Sequence, residues 1–196
     1  MALIDQDRLS AAEARVRAEY ASAGRHYHDV AHLDDCLAKL EAEDVLPDVR
    51  RRLRWAILWH DVVYDPTRSD NEERSAERAQ RELAEAGVAD EDAAEIARLI
   101  LLTRGHAVAA EDEAGALLVS IDLSILGAEP ARYDAYARAI RQEYGHVPED
   151  AYRAGRSRVL RHFLEAAAIF PNAGYRGRYE AQARENLARE AAALEE

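Results

Sequence analysis

Apolar residues recur along this chain at three- and four-residue spacing and never in clean alternation, which is the pattern of helices with one buried face. Glycine and proline are few and fall between the periodic segments, as helix punctuation. The spacing predicts helices over about residues 4–23, 29–40, 47–65, 71–86, 90–104, 114–126, 131–144, 149–167 and 175–194. The stretch that organises the rest is LRWAILWHDVVYDP, residues 53–66. Leu53, Ala56, Ile57, His60, Asp61 and Tyr64 share one helical face, and Trp55, Leu58, Trp59 and Val62 are apolar on the other sides. A helix of this kind is buried all round. His60 and Asp61 therefore fall at core positions, where a polar group must be neutralised, paired or bound to a metal.

Two more predicted helices carry chemistry at or beside an apolar stripe. In the segment 29–40 the stripe is Val30, Leu33, Leu37 and Leu40, with His28, His32 and Cys36 at successive i+4 steps beside it. In the segment 114–126 the stripe is Ala114, Leu117, Leu118, Ile121 and Ile125, and Asp122 falls inside it. Two imidazoles, His32 and His60, and two carboxylates, Asp61 and Asp122, make a ligand set for one divalent ion. Mn, Fe, Co, Ni or Zn suits such a mixture better than a metal that prefers thiolates. The rival reading of His60 and Asp61 alone is a buried hydrogen-bonded pair. Asp122 would move to the surface if the helical phase were off by one position.

Length and composition narrow the class. The chain has 196 residues, 48% of them hydrophobic, with no linker long enough to separate domains, so one domain spanning 1–196 is expected. No apolar run approaches the roughly 18 residues that a bilayer demands. The N-terminal residues lack the order of a signal peptide and Cys36 is the only cysteine, so a cytoplasmic location is expected. A formal charge of −12 argues against a long nucleic acid as partner. A small phosphate ester fits if a few arginines converge. Lys39 is the only lysine, so positive charge is almost wholly arginine and no single arginine stands out.

The ordered segments RHYHDVAH, WHDVVYDP, DNEERSA, LLTRGH, IDLSILG, IRQEYG and YRAGR, from residue 25 to about 160, resemble the HD superfamily of metal-dependent phosphohydrolases. The resemblance is closer still to a bacterial subfamily of predicted HD phosphohydrolases. It implies an all-α, single-domain helical bundle of the HD type, with a helical extension over about 161–196. It implies a divalent ion (Mn, Fe, Co, Ni, Zn or Mg) held by His32, His60, Asp61 and Asp122, with His28 as the alternative first ligand. The chain departs from the subfamily pattern at Asp29, where Asn is frequent, and at Ser120, where an acidic residue is frequent.

The implied activity is hydrolysis of a small phosphoester, such as a nucleotide, by a metal-activated water. Asp61 would orient that water, with Glu72 and His28 as candidate proton carriers. His106, just past its helix, is a candidate for a second metal or for phosphate. Arg25, Arg141 and Arg156 are candidates for substrate phosphate, which guanidinium geometry suits. Each has a plainer rival: a helix N-terminal glutamate, an exposed histidine, an arginine in a salt bridge. Tyr27, Tyr144 and Tyr152 read as core-edge tyrosines and Cys36 as a small core residue. The alternative function is a metal-binding helical sensor or interaction module without turnover. A weaker third is oxidative chemistry at two irons.

Overall fold

The computed structural model describes residues 4–195. Among them the chain forms nine α-helices and no strand, so the all-α class holds. The helices are α1 (Gln6–Tyr20), α2 (Val30–Glu41), α3 (Pro47–Trp59), α4 (Asn71–Glu85), α5 (Asp90–Leu101), α6 (Glu113–Asp122), α7 (Pro130–Glu143), α8 (Glu149–Glu165) and α9 (Ala173–Glu195). Short 3-10 turns, Leu102–Arg104 and Leu123–Gly127, follow α5 and α6 and complete the segments that the spacing reads as longer helices. No single helix is long and apolar enough to cross a membrane among the described residues. The chain divides into two compact units, Met1–Leu118 and Val119–Glu196. The sequence carries no sign of that division, because α6 runs unbroken across it.

In the first unit α3 is the central helix and packs against α1, α2, α4 and α5. Leu53 and every residue from Trp55 to Trp59 are buried, as the all-round apolar pattern requires. α1 faces the core with Leu9, Ala12, Val16 and Tyr20. α2 starts where Asp29 caps it: the carboxylate accepts the amides of Ala31 at 2.9 Å and His32 at 3.1 Å. An asparagine would serve equally at that position. α4 ends in a left-handed glycine turn. Gly87, at φ 82°, donates to the Ala84 carbonyl and Val88 to that of Leu83, which satisfies the last carbonyls of the helix.

The helix predicted to reach Asp65 stops at Trp59, and His60 and Asp61 lie in the turn that follows. In a continuing helix the Asp61 amide would donate to the Ile57 carbonyl. Here that carbonyl pairs with His60 Nδ1 at 2.7 Å, and the Asp61 amide donates to the Tyr20 hydroxyl at 3.1 Å. Side chains thus replace one rung of the helix and end it. The loop beyond is held by the start of α4. Asn71 accepts the Asp65 amide at 3.1 Å and donates to the Asp65 carbonyl at 2.9 Å. Ser75 pairs in the same way with Val63.

In the second unit α9 packs on α8 and on the turn Leu123–Gly127. A Cβ at Gly127 would stand 2.6 Å from the Tyr179 carbonyl oxygen, so only glycine allows this approach. Asn186, fully buried, donates to the carbonyls of Leu126 and Ala128 at 2.9 and 2.8 Å. The buried guanidinium of Arg156 on α8 pairs with both oxygens of Glu190 on α9, at 2.7 and 2.9 Å.

Candidate metal centre

Three donor atoms of the first unit converge. His32 Nε2 and His60 Nε2 are 3.2 Å apart, Asp61 Oδ2 is 3.0 Å from His60 Nε2, and it is 3.9 Å from His32 Nε2. Donors about 2.1 Å from one divalent ion stand ~3.0 Å apart at right angles and ~3.4 Å apart at tetrahedral angles. Two of the observed edges, 3.0 and 3.2 Å, fall in that range and the third, 3.9 Å, is wider; the set of two nitrogens and one carboxylate oxygen suits a divalent transition metal. Both imidazoles are buried, at 6% and 3% exposure, while Asp61 is half-buried. The imidazoles are therefore shielded from solvent, and the carboxylate keeps a small exposure, 14% of its side chain.

The orientation of His60 follows from its neighbours. With its proton on Nδ1 the ring donates to the Ile57 carbonyl, and in that tautomer Nε2 keeps its lone pair toward His32 and Asp61. A backbone carbonyl behind a ligand imidazole is the usual device that fixes tautomer and ring plane. The Tyr20 hydroxyl lies 3.4 Å from the same Nδ1. Burial, and then the Asp61 charge, push the Tyr20 phenol well above its ordinary pKa, so it stays a neutral hydroxyl. His32 is seated by α2, with Cys36 Sγ one turn on at 3.8 Å from its Nδ1.

The other residues singled out by sequence fall in different settings. His28 stands outside this donor group: its ring stacks on Tyr64 at 4.3 Å and meets Tyr27 edge-on at 4.9 Å. Glu72 is half-buried in the first turn of α4. His106 is half-buried beyond the 3-10 turn, with a left-handed φ of 56°. Neither joins a group of three donors among the described residues. Asp122 is the last residue of α6, half-buried, and belongs to the second unit. Arg25 donates to the carbonyls of His28, Asp61 and Val62. Arg141 holds Glu149 and the carbonyls of Tyr144 and Val147, and Arg156 holds Glu190. Each of these guanidinium groups makes hydrogen bonds within the chain.

Sequence reasoning missed Tyr20. The available signal was its place at the end of the α1 stripe, where a buried tyrosine hydroxyl requires a polar partner. No family model matches the chain, and neither a curated protein nor a solved structure matches it.

Proposed function

We propose that the chain is a metal-dependent phosphohydrolase of the HD type, acting on a small phosphoester such as a nucleotide. The observation that carries this reading is the convergence of His32 Nε2, His60 Nε2 and Asp61 Oδ2, none more than 3.9 Å from another, with the Ile57 carbonyl 2.7 Å behind His60 Nδ1. A divalent ion there supplies Lewis acidity, which polarises a phosphoryl oxygen and makes water acidic near neutral pH. His32 and His60 hold that charge from the buried side. Asp61 neutralises part of it, and its second oxygen orients a water toward phosphorus. Glu72 and His28 are the proton carriers proposed for the leaving oxygen. Asp122, the remaining ligand of the resemblance, belongs to the second unit.

Metal analysis of the purified chain, followed by a panel of phosphoesters under Mn, Co, Ni, Mg and Zn, tests the proposal. Wild type is expected to hold about one divalent ion in the group and to hydrolyse at least one ester. Asp61→Ala is expected to lose both metal and turnover. Full turnover by Asp61→Ala would remove the mechanism. Tight metal binding with no hydrolysis anywhere in the panel would favour the sensor reading.

A further inference from the structure

Arg25 lies between α1 and α2, and its guanidinium donates to three carbonyls: His28 at 3.0 Å, Asp61 at 2.7 Å and Val62 at 3.0 Å. The group sits over the rings of Tyr20, at 5.0 Å, and Tyr64, at 5.5 Å. The first carbonyl belongs to the segment entering α2, which carries His32. The other two belong to the turn that carries His60 and Asp61. One planar, permanently charged fork thus spans both halves of the donor group, and charged donors make the stronger hydrogen bonds. Tyr20, five positions earlier, accepts the Asp61 amide. Both backbone polar groups of Asp61 are therefore held by side chains from one stretch of chain, residues 20–25.

We propose that Arg25 is a positioning residue: it sets the spacing between the donor on α2 and the donors on the turn after α3, and so governs affinity for the ion, instead of contacting substrate phosphate. The inference rests on the metal-centre reading above. It assigns Arg25 a task that lysine performs only in part, because a single ammonium on a flexible stem does not reproduce a planar fork to three carbonyls.

The test is calorimetric titration of the chelator-stripped chain with Mn²⁺ for wild type, Arg25→Gln and Arg25→Lys. The Tm of each in chelator, and KM for a hydrolysed phosphoester at saturating Mn²⁺, accompany it. Arg25→Gln is expected to bind Mn²⁺ about 10–100-fold more weakly, the loss that follows removal of a group supporting metal ligands. Arg25→Lys is expected to fall between the two. KM at saturating Mn²⁺ is expected to stay at the wild-type value. If Arg25→Gln does not fold, Arg25→Lys carries the comparison. Wild-type Mn²⁺ affinity in the folded variants overturns the inference, whether KM rises, as a phosphate contact requires, or only Tm falls, as a purely structural tie requires. A wild type that takes up no Mn²⁺ removes the metal-centre reading itself, and is recognised before any variant is compared.

Discussion

The Tyr20 hydroxyl does two things at one point: it accepts the Asp61 amide at 3.1 Å and lies 3.4 Å from His60 Nδ1. No water reaches it, because the side chain is fully buried. Tyr20→Phe keeps the ring and its packing and removes only the acceptor, so the Asp61 amide is left without its partner. Leaving a buried donor unsatisfied costs about 1–3 kcal/mol. Urea unfolding at pH 7 is expected to show a loss of that size with an unchanged m-value, and an unchanged midpoint would show that the hydroxyl is dispensable. At this scale residue type was the informative signal. His32, His60 and Asp61 stood out because imidazole and carboxylate at core positions require partners. Tyr20 did not stand out, because tyrosine on an apolar stripe is commonplace, and Arg25 stood out only as one of three arginines offered for substrate phosphate.

At the scale of elements, periodicity located the helices and failed at their ends. α3 is the instructive case. Residues 60–64 keep the spacing of a buried helix, yet the backbone leaves the helix after Trp59, because the Ile57 carbonyl and the Asp61 amide find tertiary partners in His60 and Tyr20. That exchange depends on α1 and is invisible to any pattern within the segment. The consequence is geometric, since the turn brings two adjacent side chains together, with His60 Nε2 3.0 Å from Asp61 Oδ2. The same logic applies to the loop after it, which α4 holds through Asn71 and Ser75 in place of backbone partners. The partners of these two residues are the backbone groups of Asp65 and Val63. Asn71→Ala is expected to lower stability by roughly 1–2 kcal/mol through two lost hydrogen bonds. It is also expected to speed hydrogen exchange at the Asp65 amide while leaving that of Val63 protected. Ser75→Ala is expected to show the reverse. Equal acceleration at both amides in either variant would mean that the loop opens as one piece.

Across the whole molecule, each compact unit carries its own buried polar tie, and the division between the units escaped the sequence because no linker marks it. In the first unit the tie is the Tyr20 and Arg25 arrangement around Asp61. In the second it is a network in which Glu190 accepts from Tyr133 on α7 and from Arg156 on α8. Burial first, and then the Glu190 carboxylate, raise the Tyr133 phenol far above its ordinary range. Tyr133 is therefore still protonated in the folded chain at a pH where the unfolded chain's phenol, with a pKa of about 10, has ionised. Below pH 10 both states hold the proton and the network's contribution is complete. Above it the unfolded state binds fewer protons than the folded one, so stability falls as pH rises. The slope is about 1.4 kcal/mol per pH unit for this one group. Tyr133→Phe abolishes that linkage and leaves every other tyrosine in place. Its stability deficit against wild type, measured by denaturant unfolding at pH 8, 10, 11 and 12, is expected to be constant up to about pH 10 and then to shrink by about 1.4 kcal/mol per pH unit. A deficit that stayed constant to pH 12 would mean that Tyr133 ionises alike in both states, and that the Glu190 network opens before the chain unfolds.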